Sequence, residues 1–173
     1  MRGTRSKARY RVTGAVTVTA VAALGMSAPA QAAEACKTSS KSIDTPTYSG
    51  PWPDNWKFTV KACAKRSGGR VSHWATVSWD LPASVFTPGG IFNTPGTGVS
   101  VTGKRPGGRA AGVTRWTDLR DRLDRARDGS VTTPAFTTGH GAGQAVTSVV
   151  VELDWKNDGK APVRYVFTTS PKV

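Results

Sequence analysis

Two stretches of alternating sequence, residues 57–66 and 71–80, separated by Ser67-Gly68-Gly69-Arg70, constrain the fold of this chain more than any other feature. A period of two marks a strand with one buried face, and a four-residue connection containing glycine joins two such strands as a hairpin. Pairing Arg66 with Val71 sets Phe58, Val60, Ala62 and Ala64 opposite Trp79, Val77, Ala75 and His73 on one face. The other face then holds Lys57, Thr59, Lys61, Cys63 and Lys65 opposite Asp80, Ser78, Thr76, Trp74 and Ser72. One face is mostly apolar and the other mostly polar, a separation that a slip of one residue would destroy.

A second hairpin is predicted over 144–155 and 161–169. Its connection, Asn157-Asp158-Gly159, suits a type I turn closed by a left-handed glycine. That turn sets Leu153, Val151 and Val149 opposite Val163, Tyr165 and Phe167, with Glu152 facing Arg164 on the outside. A two-residue Asp-Gly turn would place Leu153 against Arg164 and is rejected. Residues 33–49 read as an edge strand or a loop tied down by Cys36. Residues 86–112 hold eight Gly and three Pro and read as two long loops flanking a short strand at 99–101. A helix is predicted over 114–127, because Trp116, Leu119, Leu123 and Ala126 recur at helical spacing and Asp118 with Arg122, and Asp121 with Arg125, form i,i+4 pairs. Gly129 would end it, and a further strand is expected near 131–138. The sum is a mainly β fold, an antiparallel β-sandwich of about seven short strands with one short helix, a partly open barrel being the alternative.

The first residues speak to compartment. Arg2, Arg5, Lys7, Arg9 and Arg11 precede an uncharged Val/Ala/Thr-rich stretch at 12–26, and Ala28-Pro29-Ala30-Gln31-Ala32 follows. A positive region, a short apolar region and an A-x-A site together are expected to form a cleaved signal peptide over 1–32. The apolar stretch is shorter than the roughly 20 residues of a membrane span, so no transmembrane anchor is expected after processing. The remaining single domain, 33–173, keeps a net charge of +8 from the +13 of the full chain. Its two cysteines, Cys36 and Cys63, read as one disulfide in an oxidising compartment. Such a bond closes a 28-residue loop and stabilises the fold by roughly 3 to 4 kcal/mol in a chain-entropy treatment. In the predicted register Cys63 lies beside Trp74, so the disulfide is expected to draw the N-terminal segment over that tryptophan.

Motifs for chemistry are few. No Gly-x-Ser-x-Gly elbow and no phosphate-binding Gly-x-x-x-x-Gly-Lys-Ser/Thr loop is present. The segment from Asp154 to Gly159 fails as a calcium loop, because Lys156 and Tyr165 stand where oxygen ligands are needed. Neither a metal site nor a cofactor is expected. His140 is the most reactive-looking residue, a lone imidazole among glycines able in principle to serve as a general base; the favoured reading is a flexible loop. His73, on the core face, reads as a structural histidine. No pair of carboxylates offers itself for glycoside hydrolysis.

Binding features are better represented. Lys57, Lys61, Lys65 and Trp74 share the polar face of the first hairpin, and Lys104, Arg105 and Arg109 lie on a Pro/Gly-rich loop. Such surfaces attract anions in a salt-dependent way. Trp52 and Trp56 flank a turn, where exposed aromatics stack on sugar rings and buried ones plug a core. The Arg-rich segment at 115–128 sets five arginines against four aspartates, a poor footing for nucleic acid, which is not expected as a partner.

The Arg-rich start, the Ala/Val/Thr-rich leader and the Gly/Arg/Trp-rich remainder resemble the small secreted proteins of high-GC Gram-positive bacteria, a compositional resemblance that implies export and no particular activity. The expected function is a secreted, non-catalytic β-sandwich that binds an anionic cell-wall polymer or glycan, or another saccharide, at the cell surface. Alternatives are an inhibitor presenting 104–109 to an extracellular protease and a small secreted hydrolase using His140 with a carboxylate.

Overall fold

The computed structural model describes residues 34–84, 90–93, 95–107, 112–125 and 128–173. The leader predicted over 1–32 and Arg109 lie outside the described residues. The chain runs β1 (Glu34–Ile43), β2 (Trp56–Ser67), β3 (Arg70–Asp80), β4 (Gly98–Lys104), β5 (Val113–Asp118), α1 (Arg120–Arg125), β6 (Gly129–Thr132), β7 (Phe136–Gly139), β8 (Val146–Leu153) and β9 (Val163–Val166). These nine described strands form two antiparallel sheets, β1-β2-β3-β6 with β7 also on β3, and β5-β4-β8-β9. The architecture is a β-sandwich, and the barrel alternative falls.

Both predicted hairpin registers are present. β2 and β3 pair with Arg66 opposite Val71 and Phe58 opposite Trp79. β8 and β9 pair with Leu153 opposite Val163 and Glu152 opposite Arg164, and Phe167 N continues the ladder to Val149 O at 3.0 Å. The second hairpin differs from expectation at its tip. Pairing stops at Leu153, Pro162 has no amide to donate, and Trp155 bridges Phe92 instead. Asn157 as well as Gly159 has positive φ, at 65° and 66°, so the turn is not the simple type I form.

Residues 114–127 correct the sequence reading most. Residues 113–118 form β5, paired along β4 from Gly103 to Gly98, and among the described residues six, Arg120–Arg125, remain helical, Ala126 and Arg127 lying outside them. Val113, Thr114, Trp116 and Thr117 favour strands, and an open edge on β4 offered the backbone partners that a short exposed helix lacks. Asp118 caps α1 by accepting from Arg120 N at 2.9 Å instead of pairing with Arg122. The predicted Asp121–Arg125 pair is present at 3.0 Å.

The expected strand near 131–138 is two strands, β6 and β7, both on β3. Pro134 interrupts the ladder, and Thr133 repairs it with both backbone and side chain: its amide donates to Ala75 O at 2.9 Å and its hydroxyl accepts from Ala75 N at 3.1 Å. This split and β5 raise the count from about seven to nine. The Cys36–Cys63 disulfide joins directly opposed residues of β1 and β2. β1 therefore extends the sheet sideways and does not cover Trp74, which stays half-buried.

Between the sheets Phe58, Val60, Val77 and Trp79 meet Val99, Val101, Val149 and Val151, all buried. At one end of the sandwich Trp56, Phe92 and Trp155 pack together, with Leu119 and Leu123 beside them in the core. At the opposite end the filler is His73.

Candidate functional site

His73 is fully buried, with Nδ1 at 2.9 Å from Thr147 Oγ1 and Nε2 at 2.7 Å from Thr138 Oγ1. The proton positions follow from a third bond. Thr147 Oγ1 donates to Cys63 O at 2.6 Å, so it must accept from His73 Nδ1–H, and Nε2 accepts from Thr138. A neutral ring is thereby satisfied on both nitrogens. Burial, and secondarily the neighbouring His140, lower its pKa from 6.5 to about 4. Gly103 makes the room, since a Cβ there would overlap the imidazole. The structural reading of His73 holds.

His140 lies on the solvent side of His73, ring centroids 5.9 Å apart. Its loop is pinned. The amides of His140 and Gly141 both donate to Gly69 O at 3.0 Å. Arg66 donates to Gly141 O at 2.7 Å, to Gly143 O, and to Val173 O at 3.1 Å. The loop is present, with Gly141 at a positive φ of 54°, and a guanidinium fork ties it to the end of the sheet. Burial and then the charges of Arg105 and Arg66 hold the His140 pKa below its ordinary value.

His140 faces a cavity of about 370 Å³ whose wall includes Thr137, Lys104 and Arg105. On the other side of Lys104 lies a second cavity of about 460 Å³, lined by Lys37, Lys172, Thr168, Thr169 and Ser170 among others. Lys104 is the shared wall. Neither cavity has a carboxylate among its described lining residues. Four fixed cations from β1, the end of β4, the residue after it and the C-terminal segment therefore converge on one edge, interleaved with hydroxyl donors. That arrangement favours anionic groups, because each cation adds to a common potential and no carboxylate is among the described residues lining the cavities. For acid–base catalysis His140 would need a partner group, and no carboxylate is among the described residues lining its cavity.

The other sequence-derived candidates are dispersed. Lys57, Lys61 and Lys65 do share the outer face of β2 with Thr59, in a lattice of hydroxyls: Ser40 meets Thr59 at 2.8 Å and Thr76 meets Thr132 at 2.9 Å. Lys57 stands opposite Asp80, and Lys65 opposite Glu34. Cross-strand neighbours lie about 5 Å apart at Cβ, so two of the three lysines sit beside a carboxylate. A recess of about 160 Å³ lies beside Lys57 on this face. Trp52 is 59% exposed, whereas Trp56 is wholly buried, its Nε1 donating to Thr45 Oγ1 at 3.1 Å. Trp56 is a core residue and offers no stacking surface, which corrects its place among the binding candidates.

Lys37 and Lys172 were not legible as site residues. Lys37 reads as one more charge on a polar edge, and 135 positions separate it from Lys172. Glu34, Cys36 and Cys63 cluster closely enough for a metal, but both sulfurs are spent in the disulfide and offer no thiolate. No family model, no curated protein and no solved structure matches this chain, so the reading of this edge rests on its own chemistry.

Proposed function

We propose that the protein is exported and acts by binding, its basic edge taking an anionic polymer, such as a wall polymer or acidic glycan, outside the cell. One observation carries this reading: Lys37, Lys104, Arg105 and Lys172 surround two adjoining cavities that no described carboxylate lines. The disulfide suits an oxidising compartment, and the leader read over 1–32 supplies the route. No helix among the described residues is long and apolar enough to cross a membrane. The hydrolase alternative is less well supported, because no carboxylate is among the described residues lining the cavity at His140. The inhibitor alternative would use Lys104 as a presented side chain, yet Lys104 is partly buried as the wall between cavities.

Retention on purified anionic cell-wall polymer at low and high salt tests the proposal. Retention is expected at low salt and lost as the Debye length shrinks from about 10 Å at 0.1 M to about 3 Å at 1 M. Lys104→Ala should elute at lower salt than the parent. Absence of salt-sensitive retention, or indifference to Lys104→Ala, would remove the reading.

A further inference from the structure

We infer that the outer face of the second sheet holds a separate site for a neutral saccharide chain, centred on Trp116. This residue lies in β5 opposite Ser100, whose neighbours Val99 and Val101 point into the core, so Trp116 points away from it. It is 43% exposed. Its indole rests on Gly98 of β4, where any Cβ would overlap the ring. Glycine at this position thus makes a seat for an aromatic plate on an otherwise ordinary strand pair.

The ladder places polar groups beside that plate. Asp118, Gly98, Glu152 and Arg164 lie at one level across β5, β4, β8 and β9. Trp116, Ser100, Val150 and Val166 lie at the next, with Val166 62% exposed. The indole therefore extends over Gly98 into the level that holds Asp118 on one side and Glu152 on the other. Arg164 Nε holds Glu152 at 3.4 Å. A pyranose ring presents one face of C–H groups and a rim of hydroxyls. The first packs on an indole, and the second pairs with planar carboxylate and guanidinium groups that offer several acceptors and donors at fixed angles. Two carboxylates against one guanidinium disfavour a polyanion here, so the ligand chemistry differs from that of the basic edge and does not rest on it.

The test is retention of the full secreted protein on insoluble cellulose, chitin and peptidoglycan in about 1 M NaCl, where exposed charges are screened beyond about 3 Å. Wild type is expected to bind at least one of the three. Trp116→Ala should weaken that binding by about tenfold or more, as for an aromatic anchor, and Glu152→Gln by less. Melting temperature and near-ultraviolet circular dichroism confirm that both variants fold. Lys104→Ala should leave this retention unchanged while impairing anion binding, so the two sites fail separately. No retention on any of the three, or retention that Trp116→Ala leaves intact, overturns the inference. So does a concentration-dependent dimer in sedimentation that Trp116→Ala abolishes with no saccharide bound, which would assign the face to a second copy of the chain.

Discussion

At one end of the sandwich Trp56, Phe92 and Trp155 fill the gap between the sheets, with centroids from 4.8 to 6.3 Å apart. At the other end the same gap is filled by His73 hydrogen-bonded between Thr138 and Thr147. The aromatic end is held by apolar burial, which is non-directional and indifferent to pH. The polar end is held by bonds that require one tautomer and one charge state. Burial opposes protonation of both histidines, reinforced at His73 by His140 and at His140 by Arg105 and Arg66. The polar end is thus where stability answers to acid.

The largest expected effect belongs to the aromatic end. Trp56→Ala should cost about 3 to 5 kcal/mol, read as a lowered urea midpoint, with little dependence on pH. A cost below about 1 kcal/mol would mean that the aromatic cluster is not the principal plug.

Next comes the disulfide, which ties β1 to β2 near the polar end. Reducing it, or replacing both cysteines by alanine, should lower stability by about 2 to 4 kcal/mol. An unchanged midpoint would show that the β1 ladder alone holds the strand that carries Lys37.

The pH response distinguishes the two ends. His73 binds its proton at about pH 4 when folded and near 6.5 when unfolded, so between these values the unfolded chain carries more protons. Its contribution is therefore complete above pH 6.5 and is lost as the pH falls toward 4, on the order of 3 kcal/mol in all. His140, also shifted down, adds in the same direction. Urea unfolding at stepped pH should show this decline, and His73→Gln should flatten most of it. A flat profile in the parent would sink the neutral, doubly bonded imidazole.

The smallest effects on stability, within about 0.5 kcal/mol, are expected for Lys104→Ala and Lys61→Ala. Their binding should nonetheless differ: Lys104→Ala lowers the salt needed to elute the protein from anionic polymer, and Lys61→Ala leaves it unchanged. Equal losses would move the anion site back to the outer face of β2.

How far the fold was legible depends on the segment. The β2–β3 register follows from alternation that tolerates only one pairing of apolar faces, and the β8–β9 register from three turn residues. Glu152 and Arg164 accordingly meet where the pattern placed them. Residues 114–127 misled because Trp116, Leu119 and Leu123 satisfy helical spacing while Val113, Thr114 and Thr117 favour a strand. Local pattern alone does not arbitrate between them; the free edge of β4 does. Of the candidate site, Lys104 and Arg105 were legible as basic loop residues. Trp116 was read as one of four residues at helical spacing, and nothing local signals that Gly98 would seat it.

The order of residues by itself determined which faces of the two hairpins are buried, how both hairpins register and which sulfurs join, because these depend on a two-residue period, on turns a few residues long and on there being just one possible cysteine pair. Only the tertiary structure decided that β5 would be a strand, that Lys37, Lys104 and Lys172 would share an edge, and that an indole would lie on Gly98. Those outcomes depend on which backbone edges and side chains from distant segments become neighbours. Such proximity is set by the packing of one sheet on the other, and no local period records it.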